Sequence, residues 1–190
     1  MVVTAPLNQP LKADDLADFP DDGMRYELIW GELHMSPAPG LPHQVILMNL
    51  VAGFLRYLST EKRGMVLAAP VDVKFDEENV VQPDLLVVAT ENRAAVQGTK
   101  FIGTPDLLVE ILSAQSRSRD FLKKSLLYST YHVQEYWIVD PSNRRIHVYV
   151  LEGDSFVQQE SVDGVARSSR FRGLEIDPQG IFELPEQMRD

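Results

Sequence analysis

The chain has 190 residues, 44% of them hydrophobic, no cysteine, and 18 basic against 28 acidic side chains, for a formal charge of −10. That length supports one well-buried core. The missing cysteines exclude disulfides, thiolate catalysis and thiolate zinc sites, and the acidic balance weighs against a broad nucleic-acid-binding surface. No run of about 18 apolar residues is present to cross a membrane, and the N-terminus MVVTAPLNQPLKADD lacks the charged start and apolar centre of a signal peptide. A cytoplasmic location is expected.

Residues 1–23 read as a polar lead, and 24–190 as a single domain. RYELIWGELHMS (25–36) alternates about Trp30-Gly31 and predicts a hairpin. A two-residue turn there puts Tyr26, Leu28, Leu33 and Met35 on one face, and Glu27, Ile29, Glu32 and His34 on a polar other face. After the rigid connector SPAPGLP (36–42), with Pro42 suited to a first helical turn, residues 43–59 carry apolar side chains at helical spacing. Strands follow at 65–75, 80–89 and 105–113, the last two separated by the loop ENRAAVQGTKFIGT. A second helix is predicted over 117–131, a strand at 135–140, a turn at PSNR, a strand at 146–153 and a C-terminal meander. This order predicts an α/β fold: a mixed central sheet flanked by helices, with an N-terminal hairpin and C-terminal antiparallel strands.

Two carboxylates, Asp84 and Glu110, interrupt the most apolar runs, VVQPDLLVVA and PDLLVEIL. Apolar residues on both parities mark strands covered on both faces, where an unpaired carboxylate is costly. A divalent ion or a nearby cation would compensate them. Projected at 100° per residue, Lys124 falls between Tyr128 and Tyr131 on the inward side of the second helix, and Lys123 falls on the polar side. The plainer reading of Lys124 is an i,i+4 pair with Asp120, worth a few tenths of a kcal/mol.

Other polar residues read more blandly. Asp72 and Lys74 suggest a solvated pair, Asp140 a turn residue, and His132 and His147 have no metal-pair spacing. Trp137 and Tyr136 take opposite faces of their strand, one of them core. Basic islands at 117–124, 144–145 and 167–172 leave room for a local cationic groove.

QPDLLVV (82–88), VEIL (109–112), RDFLKKSLLY (119–128) and EYWIVDP (135–141), preceded by RYELIWGEL (25–33) and PAPGLPH (37–43), resemble in order the Uma family of endonuclease-like proteins. That family lies within the restriction-endonuclease-like PD-(D/E)XK superfamily, and the resemblance covers roughly residues 24 to 150. It implies that Asp84 and Glu110 bind Mg²⁺ or Mn²⁺. The superfamily lysine expected two residues after Glu110 is replaced by Leu112, and the family pattern moves it to Lys124. Glu27 matches an early acidic position that assists at the metal, and His43 a histidine ahead of the first helix. From their positions alone, Gln82, two residues before Asp84 and on the same face of a regular strand, would orient a bound water or phosphate, and Tyr128, one turn beyond Lys124, would fix its stem by packing. The implied activity is metal-dependent hydrolysis of DNA phosphodiesters; a homodimer is expected because cutting both strands of a duplex suits a two-fold pair and the C-terminal strands offer an edge. Two other readings stay open: a catalytically inactive binding or assembly module on the same fold, and a hydrolase of smaller phosphoesters or nucleotides.

Overall fold

The structure is a computed structural model that describes residues 10–113, 119–161 and 163–188. The first nine residues of the lead, the expected helix start at 117–118 and the side chain of Asp120 lie outside the described residues. The strands are β1 (Met24–Ile29), β2 (Glu32–Pro37), β3 (Gly64–Ala68), β4 (Asp72–Lys74), β5 (Val80–Val81), β6 (Leu85–Ala89) and β7 (Val96–Gln97). They continue with β8 (Lys100–Ile102), β9 (Leu107–Ile111), β10 (Glu135–Asp140), β11 (Arg145–Glu152), β12 (Ser155–Gln158), β13 (Ala166–Arg167) and β14 (Glu175–Ile176). The helices are α1 (Leu41–Glu61), α2 (Arg119–Thr130) and the short α3 (Pro178–Ile181).

A central sheet runs in the order β12-β11-β10-β9-β6-β3, with β9 and β10 parallel and the other neighbours antiparallel. Ile46, Leu50, Phe54 and Leu58 recur every four residues and bury one stripe of α1 on one face of this sheet, against Leu85, Val87, Leu107, Val109, Trp137 and Val139. The opposite parity, Leu86, Val88, Leu108, Tyr136 and Ile138, packs on Leu127 and Tyr128 of α2 and on Ile29, Val73, Val81 and Phe101 of a second sheet. That outer sheet runs β2-β1-β5-β4-β8-β7. Both faces of β6, β9 and β10 are therefore covered, which is why their sequences are apolar on both parities. The mixed α/β fold, with helices flanking the central sheet, is the one the sequence predicts.

Two predicted strands are broken, each at a proline. The run 65–75 divides into β3 in the central sheet and β4 in the outer one, across Pro70; the run 80–89 divides into β5 and β6 across Gln82-Pro83-Asp84. Proline has no N–H to give to a ladder, so the chain changes sheets at both points. Asp84 thus lies just ahead of a strand, in a crossing between sheets. The loop predicted at 91–104 contains the small β7–β8 hairpin, and α1 begins at Leu41, with Pro42 in its first turn. Trp137 and Tyr136 do occupy opposite faces, but both are core. No helix among the described residues is long and apolar enough to cross a membrane.

The C-terminal segment is tied to β10 by the fully buried Glu135. One of its oxygens accepts the N–H groups of Ser169 at 3.0 Å and Arg170 at 2.8 Å and the Ser168 hydroxyl at 3.0 Å, and the other accepts the Trp137 indole N–H. Arg170 in turn grips Asp106.

Phe54 is fully buried, its ring 5.4 Å from that of Trp137. Truncation in such a core costs about 3–5 kcal/mol. Phe54→Ala should lower unfolding free energy in urea by that amount; a loss below about 1 kcal/mol would contradict the packing described.

Candidate active site

The site forms where β5 crosses into β6. Leu85 pairs with Val109 and Leu86 with Leu108, so the same register extended by one residue sets Asp84 opposite Glu110. Both share parity with Leu86 and Leu108, the residues that face α2, and this turns the two carboxylates toward the same side of the sheet.

Asp84 is almost fully buried and heavily compensated. Its Oδ2 accepts the Ile111 N–H at 2.8 Å and lies 3.1 Å from His43 Nε2, and its Oδ1 accepts from Arg25 Nη1 at 2.9 Å. Burial alone would raise its pKa; His43, the Ile111 N–H and the Arg25 guanidinium outweigh that and hold the carboxyl below its ordinary range.

Glu110, whose side chain is 13% exposed, lies beside α2. Its Oε1 accepts from Lys124 Nζ at 2.9 Å and from the Tyr128 hydroxyl at 2.8 Å. The same ammonium stands 2.9 Å from Oε1 of Glu27, which also accepts the Gln82 N–H at 2.7 Å. Burial pushes Glu110 up to about 7; the Lys124 charge pulls it down, and the negative Asp84 and Glu27 push it up again. Burial would lower the Lys124 pKa, but the two carboxylates reverse that and raise it. Tyr128, fully buried against Glu110, is raised well above its ordinary value by burial first and by that carboxylate second.

Asp84, Glu110, Lys124, Glu27, His43 and Tyr128 are thus brought together. Gln82 reaches the group only through its backbone N–H, because its side-chain amide donates to Asp72 at 2.9 Å; with Pro83 breaking the strand, Gln82 and Asp84 do not share a regular face. Glu27 is not on an exposed polar hairpin face. It is 7% exposed and Ile29 2%, since that face packs against α2 and the central sheet. Lys123, 43% exposed, pairs instead with Glu32 at 2.8 Å. Asp72 and Lys74 form no pair with each other: Lys74 binds Glu77 at 2.6 Å, and Asp72 takes Gln82 and lies 3.8 Å from Lys100. Asp140 accepts the N–H groups of Ser142 and Asn143 in its turn. Arg25 was missed by sequence reasoning. The available signal was alternation, since Arg25 stands two residues before Glu27 on the same strand face.

Carboxylate oxygens are the hard donors that Mg²⁺ and Mn²⁺ take, so the donor set fits such an ion. Oε2 of Glu27 and Oε2 of Glu110 accept no hydrogen bond among the described residues. No three carboxylate or imidazole groups among the described residues are preset as a ligand cluster, and the ammonium of Lys124 lies between Glu27 and Glu110.

A family model described as "Uma2: Putative restriction endonuclease" matches residues 13–179. The chain belongs to the Uma2 family. Among solved structures it is similar to a protein from Anabaena variabilis ATCC 29413, described as a putative nuclease belonging to DUF820. The two share 19% sequence identity with a TM-score of 0.77, over 91% of this chain and 98% of the other, which is a likeness of fold. No curated protein matches the sequence. The Uma2 match contains every residue of the cluster.

The raised Glu110 carboxyl sets a pH dependence with a definite sign. Its folded value, about 7, exceeds the ordinary 4.5, so its contribution to stability is fully present below about pH 4.5 and is lost as pH rises through about 7. Asp84 works oppositely, its contribution being lost as pH falls. Denaturant unfolding of the metal-free chain across this interval should show that Glu110→Gln removes part of the decline. An equally steep decline in the variant would assign it to other groups.

Proposed function

We propose that this Uma2 protein is a Mg²⁺- or Mn²⁺-dependent phosphodiesterase that cuts DNA. The observation that carries the reading is one buried lysine, Lys124, shared between Glu27 of the outer sheet and Glu110 of the central sheet, with Asp84 opposite Glu110 in the extended register. Asp84 and Glu110 would hold the ion, with Glu27 beside them. A divalent ion bound there neutralises charge on phosphoryl oxygens and acidifies a water.

The protein's own groups do the rest. The Ile111 N–H and His43 fix the Asp84 carboxylate, so its orientation does not depend on substrate. Tyr128 fixes Glu110, donating to the same oxygen that Lys124 holds. Lys124, positive at all working pH values because its pKa is raised, orients an attacking water by hydrogen bonding and steadies the negative charge that develops on phosphorus oxygens. An ammonium has three N–H donors, and with Glu27 and Glu110 each taking one, the third is free to do so.

The formal charge of −10 favours a second reading, hydrolysis of smaller phosphoesters or nucleotides, which bring less backbone charge to an acidic protein. Duplex DNA, single strands, RNA and nucleotides assayed side by side separate the two.

With Mn²⁺ supplied, the chain should nick or cut DNA. Asp84→Ala and Lys124→Ala should each reduce that rate by at least about 10²-fold, in line with the loss of a preorganised charged group. Undiminished cleavage in both variants would sink the assignment.

A further inference from the structure

Two arginines of this protein are used in contrasting ways. Arg170 donates from Nε and Nη2 to Asp106 at 3.0 and 2.7 Å, and from Nη2 to Glu91 at 2.8 Å, so its guanidinium edge is taken up by structural carboxylates. Arg25 is less exposed, 18% against 33%, yet it makes a single described hydrogen bond, from Nη1 to Asp84 Oδ1 at 2.9 Å. A guanidinium carries five N–H donors in a rigid fork. Four of those of Arg25 have no partner among the described residues, beside a carboxylate that is already held by the Ile111 N–H and His43 on its other oxygen.

A half-buried guanidinium with most of its donors unused, on the same strand face as Glu27, has the chemistry of an anion site. Its fork matches two oxygens of a phosphodiester, and such bidentate bonds are the strong ones. From this geometry we infer that Arg25 is a phosphate clamp: its free N–H groups grip the non-bridging oxygens of the substrate phosphodiester beside Asp84. Arg25 also balances Asp84 in the absence of substrate, and His43 and the Ile111 N–H keep that carboxylate compensated when the guanidinium turns to the phosphate. The clamp rests on the phosphodiester reading above and names the group that binds substrate rather than the group that assists the cut.

The test uses the full chain and a thymidine dinucleotide, which carries one phosphodiester. The Arg25 Nε–H signal in NMR, assigned by its loss in Arg25→Lys, should move saturably as the dinucleotide is added. Arg25→Lys, which keeps a positive charge beside Asp84 and so protects the fold, and Arg25→Gln should both bind the dinucleotide at least about tenfold more weakly. Mn²⁺ affinity by calorimetry should be unchanged or higher in both, because a cation competing for Asp84 is reduced or removed. An unmoved Arg25 signal, or variants that bind as tightly as the parent, would overturn the clamp. Mn²⁺ affinity falling in step with dinucleotide affinity would also overturn it, leaving Arg25 as a support for Asp84. If the dinucleotide binds at Arg25 but neither DNA cleavage nor Mn²⁺ binding is found, the clamp stands and the metal-dependent nuclease reading fails.

Discussion

The ammonium of Lys124 joins three separate parts of the molecule. It sits on α2 and bonds Glu27 from the outer sheet and Glu110 from the central sheet, each at 2.9 Å. Charges this far from water cost several kcal/mol apiece unless paired, and removing one partner leaves the others uncompensated. The ion triad therefore constrains the packing of α2 on the seam between the sheets as well as any chemistry done there. A hydrophobic seam would pack as well without it, so the triad is more readily explained by a task than by stability.

The prolines make the site possible. Because Pro83 stops the ladder, the chain leaves the outer sheet after β5 and enters the central sheet at β6, and Asp84 lies in the crossing. The backbone groups exposed by that break are taken up locally: the Gln82 N–H by Glu27, and the Asp84 carbonyl by the Ala69 N–H at 3.0 Å beside the second proline break. A regular strand through 80–89 would have satisfied its own backbone and left Glu27 without that donor. Backbone accounting and site geometry are here the same constraint.

Much of this was legible in the sequence. Apolar runs on both parities marked β6, β9 and β10 as covered strands, and a carboxylate inside such a run advertised compensation. The helical projection separated Lys124 from Lys123 because a 3.6-residue period survives in α2 whatever it packs on. For Glu27 the sequence left two readings open, an exposed hairpin face or a place at the site, because alternation shows which residues share a face, not which face is buried; the outer sheet's packing turns this one inward. The strand breaks were signalled by Pro70 and Pro83, but where the chain goes after a break is set by long-range pairing. Arg25 was hidden because an arginine near a chain lead is most often a solvated one, and its partner is 59 residues away.

Family membership and the likeness of fold support a nuclease-like function, the charge cluster supports the proposal that its centre lies at Asp84, Glu110 and Lys124, and the formal charge of −10 narrows how such a centre would meet its substrate. On the proposed reading, a chain with this balance has little long-range attraction for DNA, so recognition would rest on a few close cationic contacts, Lys124 and Arg25 among them. The most direct measurement is the crystal structure of the protein soaked in Mn²⁺ at a concentration that supports cleavage, read by anomalous scattering. The account predicts an ion bound to oxygens of both Asp84 and Glu110. A map with no ion there, and with Lys124 still bridging Glu27 and Glu110, would contradict it.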